Sequence, residues 1–296
     1  MSHKTGKLAA DYLMVLVAVF FWGLSLIWTD EIIDQQVPVF IFVFLRMCIA
    51  GSIMLVVSLC LGKLQKIQKG DLKWFLALVF FEPFLYFIGE SYGLQLTDSP
   101  TLTAIILAVI PVFVMIFGQI FYRENLSAIN KAGVFITLAG VITYIAMGGD
   151  IHAKYLSGIA VMVLALIGSA GYSLVCKKLT AKYSPITITT YQFSLAIPFF
   201  AVTFLIFGLP QWHPGIINFS VIKPILYLAV LCSCLCFGLY TNAIEKIGMT
   251  KASVFSAVIP VVSGVFAYIL GRDVLTPWHF VAMIITLTGV VLSQKK

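Results

Sequence analysis

Long apolar segments take up almost the whole of this chain, and they restrict its fold more than any other feature. A helix needs about 20 mostly apolar residues to cross a bilayer. Segments of this kind cover residues 11–29, 37–61, 72–94, 99–122, 131–147, 155–176, 186–207, 222–244, 250–270 and 276–293. Charged residues make up only 10% of the chain, against about 25% in soluble domains. The sequence therefore predicts an all-α integral membrane protein with ten transmembrane helices.

The first segment is predicted to stay in the protein as a helix. Lys4 and Lys7 precede it, as basic residues precede a signal peptide. The segment is long, however, and it contains Trp22 and Trp28. It also has no small-x-small cleavage site before Asp30, which a signal peptide would need.

Basic residues sort into alternate loops, which predicts the orientation of the chain. Fifteen of the 19 Lys and Arg residues fall in one set of loops and termini: Lys4, Lys7, Lys63, Lys66, Lys69, Lys73, Arg123, Lys131, Lys177, Lys178, Lys182, Lys246, Lys251, Lys295 and Lys296. By the positive-inside rule this set faces the cytoplasm. We therefore expect a multi-pass plasma membrane protein with both termini cytoplasmic. The net charge of +7 forms no single patch for nucleic acid.

The chain repeats itself at a distance of 149 residues. Residues 108–112 recur as residues 257–261, and 15 of 41 positions from Thr101 to Val141 are identical to their counterparts. Each half holds five predicted spans, an odd number, so the second half is predicted to be inverted. The expected organisation is two inverted five-helix repeats, residues 1–147 and 148–296, around a central cavity. Such repeats support alternating access.

Two prolines occupy matching positions in the repeats. Pro111 and Pro260 fall near the middle of the fourth and ninth predicted helices. Proline removes a backbone donor and disturbs the preceding turn, which predicts a kink in each helix and a role in gating. The alternative is that both prolines only bend the helices for packing.

Charged residues inside predicted spans indicate a site in the first half. Glu82, Tyr86 and Glu90 follow one another at intervals of four residues, and Arg46 lies at a depth between the two carboxylates. Intramembrane charges are costly unless paired or hydrated. Three interpretations stay open: substrate binding by Arg46 or a carboxylate, proton coupling at Glu82, or a static ion pair that fixes packing. Further predicted substrate contacts are Trp22, Tyr191 and Gln192.

Several other chemistries are not indicated. The sequence has no phosphate-binding glycine loop and no HExxH or G-x-S-x-G motif, so we expect no ATP hydrolysis by this chain and no cofactor. Cys232, Cys234 and Cys236 are spaced so that a helix turns successive thiols apart. They predict packing residues rather than a metal site.

These residues together resemble the EamA family of the drug/metabolite transporter superfamily. The resemblance rests on the Pro-Val pair and the following acidic residue in each half (Glu124, Asp273), and on the Gly-Val pair of the fifth helix. Phe21-Trp22-Gly23 and Arg46 are similar to the family's opening pattern. The resemblance implies a ten-helix transporter of small metabolites, amino acids among them, often working outward. The second half departs from it, since Ser169-Ala170-Gly171 replaces the Trp-Gly pattern.

The sequence therefore predicts a secondary transporter or facilitator of small polar metabolites, functional as a monomer, with its partners limited to the substrate, the bilayer and, if Glu82 is coupled, protons. The first alternative is an integral membrane enzyme acting on lipid-linked substrates, which would need a carboxylate or His cluster at one membrane face. The second is a scaffold or receptor that transports nothing.

Overall fold

The fold is a bundle of membrane-length helices. The computed structural model describes residues 2–123, 127–147 and 153–293, with side chains from residue 11 onward. Within these ranges every regular element is helical, which confirms the predicted all-α class. In chain order the helices are α1 (Ser2–Asp34), α2 (Val39–Cys60), α3 (Leu72–Thr97), α4 (Pro100–Tyr122), α5 (Ala128–Met147), α6 (Ala153–Leu179), α7 (Pro185–Gln211), α8 (Phe219–Ile247), α9 (Met249–Ile269) and α10 (Pro277–Ser293).

Most of these helices are able to span a bilayer. Among the described residues, the nine helices α1 to α9 are both long and apolar enough, α1 from Asp11 onward, whereas α10 is apolar but has only 17 residues. The chain is therefore a multi-pass integral membrane protein, and its tenth span stays a prediction. Glu124, Lys295 and Lys296, which entered the sequence argument, lie outside the described residues.

Helices α5 and α10, the last of each half, pack at backbone contact. A Cβ at Gly140 would lie 2.4 Å from the hydroxyl of Thr286 and 2.5 Å from its backbone nitrogen. A Cβ at Gly289 would lie 2.3 Å from the backbone nitrogen of Thr137. Only glycine fits at such positions, and in lipid close backbone approach is a main source of helix association.

Helix interruptions recur near the middle of the bundle. In α3 the segment Phe80–Leu85 is π-helical and Glu82 is extended, with φ −149° and ψ 116°. The counterpart helix α8 is π-helical over Leu228–Cys236. In α4 and α9 the helix breaks just before each proline and restarts at Ile110 and Ile259. The α-helical pattern is therefore interrupted before Pro111 and before Pro260, whereas a kink at each proline and a role in gating stay predictions.

Loops of the same predicted side meet at the same end of the bundle. At what we call the acidic end, the last turns of α1 and the loops after α3 and α9 meet one another through Asp30, Asp34, Asp98, Ser99, Arg272 and Asp273. At the opposite end, which we call the basic end, the α2–α3 loop contacts the α6–α7 loop through Gln65, Gln68, Asp71, Lys182 and Tyr183. This grouping agrees with the alternation read from the charges. Which end faces the cytoplasm stays a prediction.

One ion pair holds the basic end. The Lys182 ammonium lies 3.0 Å from the Asp71 carboxylate, and the Tyr183 hydroxyl donates to the same carboxylate at 2.9 Å. The donation from Lys182, followed by that from Tyr183, lowers the pKa of Asp71 below its usual range. Since Asp71 immediately precedes α3, this contact ties the start of α3 to the α6–α7 loop.

Candidate functional site

A cavity lies in the middle of the bundle, between the two halves of the sequence. It is small, since the volume open to the centre of a water-sized sphere is about 30 Å³. Seven helices line it, α1 to α4 from the first half and α6, α8 and α9 from the second. Ile110 and Ile259, which occupy matching positions in the repeat, both reach its wall. The cavity therefore lies where the sequence predicts a central binding site.

Arg46 enters this cavity from α2 and is held by residues of two other helices. Its Nε donates to the Ser233 hydroxyl of α8 at 2.9 Å. Its guanidinium carbon lies 3.9 Å from the centroid of the Phe87 ring of α3. Arg46 is only 3% exposed. A buried guanidinium over an aromatic face gains a cation–π attraction of about 2 kcal/mol, which offsets part of the cost of burying the charge.

The static ion pair considered for Arg46 is not formed. Within the described ranges, no carboxylate oxygen lies within 4.0 Å of the guanidinium nitrogens. Glu82 and Glu90 line the same cavity without contacting Arg46 directly. The guanidinium is thus fixed through Nε and its ring face, an arrangement that leaves its other nitrogens for a ligand rather than for a protein carboxylate.

Glu82 lies at the break in α3. Its backbone carbonyl accepts a hydrogen bond at 3.0 Å from the side-chain amide nitrogen (Nε2) of Gln192, which belongs to α7. Backbone groups that leave the helical pattern at membrane depth need a protein partner or water, and Gln192 supplies that partner. The Glu82 side chain lines the cavity and is 5% exposed. A π-helical segment in a longer helix is frequent at functional sites.

Glu90 lies one helical turn beyond Tyr86 and is bonded to it. The Tyr86 hydroxyl donates to the Glu90 carboxylate at 3.1 Å, as expected for side chains four residues apart on one helix face. Both residues line the cavity. Three members of the predicted polar stripe therefore face the same space as Arg46.

Trp22 closes one side of the cavity. Its indole nitrogen donates to the Cys232 carbonyl at 3.3 Å. Its ring lies against Phe237 and Tyr240, with centroids 5.2 and 5.0 Å apart. These contacts join α1 to α8 and make Trp22 part of the cavity wall.

Tyr191 and Gln192 are not part of the cavity wall. The Tyr191 ring packs against Phe75, with centroids 5.3 Å apart, and Gln192 supports the backbone of Glu82 from behind. Four of the six predicted substrate contacts, Trp22, Arg46, Glu82 and Tyr86, are thus brought together. Any role of Tyr191 and Gln192 in binding stays a prediction.

Sequence reasoning missed the two residues that hold Arg46. Ser233 lies between Cys232 and Cys234, whose thiols are the more conspicuous groups in that segment. Phe87 is one of 24 phenylalanines. Neither residue stands out in composition or spacing. They can be identified only when it is known which faces of α3 and α8 are turned toward Arg46 of α2.

Comparison with known proteins decides the family. The profile of the EamA-like transporter family matches residues 10–146 and, a second time, residues 156–294. The chain belongs to the EamA-like transporter family. With its apolar helices, this membership makes it a multi-pass membrane transporter of the drug/metabolite transporter superfamily.

Relatives of this EamA-like chain are similar over most of their length. The uncharacterized transporter YetK of Bacillus subtilis is 24% identical, over 98% of this chain and 88% of that protein. An uncharacterized transporter of Archaeoglobus fulgidus is 26% identical, over 96% of this chain and 99% of that protein. A probable terminal-alkyne amino-acid exporter of Streptantibioticus cattleyicolor is 23% identical, over 65% of this chain and 63% of that protein.

A solved structure shares the fold of this EamA-like chain. The two superpose with a TM-score of 0.71, and the match covers 96% of each chain at 15% sequence identity. At that identity the likeness concerns the fold alone.

Proposed function

We infer that this EamA-like chain is a secondary transporter or facilitator of small polar metabolites, amino acids or related compounds, and that it exports them by alternating access. One observation carries the proposal: Arg46 and the carboxylates Glu82 and Glu90 line one central cavity without pairing directly among the described residues. A substrate with both an anionic and a cationic group would meet both kinds of partner there.

Outward transport is supported by the name of one relative, a probable amino-acid exporter. The basic loops predict that both termini are cytoplasmic. We therefore place the protein in the plasma membrane as two inverted five-helix repeats, residues 1–147 and 148–296. Because both halves are fused in one chain, a monomer is sufficient for this mechanism.

Proton coupling at Glu82 is part of the proposal. Glu82 is the only carboxylate that the described part of the chain places at a break in a membrane helix, and it is buried beside the cavity. Exchange of a proton against substrate at this position would link the pH gradient to export. We propose that the helix interruptions before Pro111 and Pro260 allow α4 and α9 to change shape around the same cavity.

A counterflow experiment tests the proposed function. Proteoliposomes that contain the purified protein are loaded with one unlabelled compound at a time. The panel consists of amino acids, sugars, organic acids and polyamines. Uptake of the labelled compound is then measured against empty liposomes. We expect counterflow with zwitterionic compounds and its loss in Arg46→Gln. Counterflow restricted to uncharged sugars, or equal in wild type and Arg46→Gln, would rule out the proposed substrate class.

A further inference from the structure

The acidic end carries an ion-pair cluster that joins the two halves of the chain. Nη1 of Arg272, in the loop after α9, donates to carboxylates of both Asp30 and Asp34, which lie in the last turns of α1. The distance to Asp34 is 2.7 Å. The Asp98 carboxylate, from the loop after α3, lies within 4.8 Å of the other two. Three carboxylates thus lie close together, and Arg272 pairs with two of them, Asp30 and Asp34, which offsets their mutual repulsion.

The loop after α9 is folded so that Arg272 points into this cluster. Gly271 has φ +67°, a left-handed conformation that glycine adopts readily at helix ends,. The Arg272 nitrogen then donates to the Ala267 carbonyl at 2.8 Å, which closes the end of α9. The next residue, Asp273, accepts hydrogen bonds from the Ser99 hydroxyl at 3.1 Å and the Thr101 nitrogen at 2.9 Å. Two successive residues therefore bind two parts of the first half.

The seam that Arg272 closes runs down to the central cavity. Helices α1 and α9 touch at Gly23, where a Cβ would lie only 2.6 Å from the Val262 Cβ. Trp22 and Ile259, beside this contact, line the cavity. Asp30 is 5% exposed and Arg272 is 21% exposed, so the seam is packed at its acidic end. Opening the cavity toward this end along α1 and α9 requires the ion pairs to separate.

The counterpart of Arg272 in the repeat has no such partners. Arg123 matches Arg272 at the 149-residue offset, but it ends α4 in a left-handed conformation itself, with φ 54°. Its side chain is exposed, and no carboxylate of the described residues lies within 4.0 Å of it. The last turn of the neighbouring α6 carries Lys177 and Lys178, where α1 carries aspartates.

We propose that Arg272, Asp30 and Asp34 form a latch that holds the α1–α9 seam closed at the acidic end, and that the described residues of the α4–α6 seam form no matching arginine latch. The proposal rests on the alternating access proposed above, but not on any substrate. A latch on one seam only favours the conformer closed at the acidic end, because an opposite-charge contact present in one conformer shifts the equilibrium toward it. This conformer is the ground state to which an exporter returns after release.

Accessibility of the cavity from the acidic end tests the latch without a substrate. Ser25→Cys, a cavity position on α1, is introduced into a chain whose native cysteines are replaced. The protein is reconstituted and exposed to a membrane-impermeant maleimide. Labelling of a separate Glu31→Cys variant gives the fraction of reconstituted protein whose acidic end faces the reagent. The labelling rate of the Ser25→Cys variant then reports how often that end opens.

Matched arginine variants give the decisive comparison. Arg272→Ala should raise the labelling rate about five- to tenfold, the size of a typical conformational coupling, whereas Arg123→Ala should leave it unchanged. Asp34→Arg combined with Arg272→Asp should restore slow labelling. The latch would be overturned by equal labelling rates in wild type and Arg272→Ala. It would also be overturned if Arg123→Ala raised the rate as much as Arg272→Ala, or if the charge-swapped double variant were labelled fast.

A milder variant covers the case in which Arg272→Ala fails to fold. Asp34 is about half exposed, so Asp34→Asn changes one charge with little disturbance of packing, and it should raise the labelling rate about two- to fivefold. A wild-type rate in folded Asp34→Asn would then reject the latch. A failed transport panel with these labelling results intact would reject the proposed substrate class and leave the latch standing.

Discussion

The guanidinium of Arg46 packs directly over the ring of Phe87 in the wall of the central cavity, with 3.9 Å between the guanidinium carbon and the ring centroid. Arg46 belongs to α2 and Phe87 to α3, so the contact fixes the charge at the junction of two helices. Because Ser233 takes Nε, the guanidinium has one orientation. Because no carboxylate of the described residues lies within 4.0 Å of its nitrogens, we propose that Arg46 binds the anionic group of the substrate.

Two replacements of Arg46 should distinguish the contribution of its charge to transport from that of its planar guanidinium group. We expect Arg46→Gln to abolish transport of compounds with an anionic group, because it removes the charge. Arg46→Lys should keep a small part of the activity, since an ammonium preserves charge but cannot bond to Ser233 and pair with a ligand in the same plane. Initial rates in proteoliposomes measure both. Full activity of Arg46→Lys would show that the fixed planar geometry is unimportant.

Ser233 should act on substrate affinity through Arg46. Removing a hydrogen bond of this kind costs about 0.5–1.5 kcal/mol, so Ser233→Ala should raise KM about two- to twelvefold with little change in kcat. Ser233→Thr retains the hydroxyl and is the matched control, with KM expected near that of wild type. An unchanged KM in Ser233→Ala, or a fall in kcat alone, would argue against a positioning role.

Glu82→Gln should uncouple transport from the proton gradient. The variant keeps the size of the side chain and the backbone contact with Gln192, but it cannot release a proton. We expect flux down a substrate gradient to remain and its stimulation by a pH gradient to vanish. Glu90→Gln, on the same helix and bonded to Tyr86, is the control and should retain the stimulation. Unchanged gradient-dependent flux in Glu82→Gln would eliminate this role.

The contact between α5 and α10 should be sensitive to a single methyl group. Gly140→Ala would bring a Cβ within 2.4 Å of the Thr286 hydroxyl, and overpacking of this kind costs about 1–3 kcal/mol. We expect a lower thermal midpoint in detergent. Gly238→Ala, in α8, is the control, because apart from its chain neighbours and the adjacent backbone of its own helix no atom lies within 4 Å of the added Cβ. Equal midpoints for the two variants would contradict the close packing.

The basic end should lose stability on acidification through Asp71. Its folded-state pKa lies below the ordinary value of 3.8 because Lys182 and Tyr183 donate to the carboxylate. A depressed pKa gives stabilisation that is complete above the ordinary value and is lost as the pH falls through the folded-state pKa. Asp71→Asn should therefore lower the thermal midpoint at neutral pH, and the difference from wild type should shrink in strong acid. A difference that is independent of pH would show that charge is not its cause.

Parts of the site could be predicted because membrane helices restrict where charges lie. Glu82 and Arg46 stand out in apolar segments, and their depths follow from counting residues along each helix. Tyr86 and Glu90 follow from the helical repeat, and the structure shows the hydrogen bond between them. The prediction placed Tyr191 with them as well, whereas the side chain packs against Phe75. The sequence predicts how deep a residue lies along a membrane helix, but it does not predict the rotation of the helix about its axis.

The sequence by itself determined the membrane class, the helix segments, the repeat and the family, because hydrophobicity, segment length and recurrence are local properties of the chain. Only the tertiary structure decided which side chains meet. Arg46 bonds to a serine 187 residues away, and Arg272 reaches aspartates at the other end of the chain. These pairings depend on helix rotation and neighbourhood, which are set by backbone contacts such as those of Gly23 and Gly140. Packing across the two halves therefore brought together the side chains of the cavity and the ion pairs of Arg272, which the repeat alone does not connect.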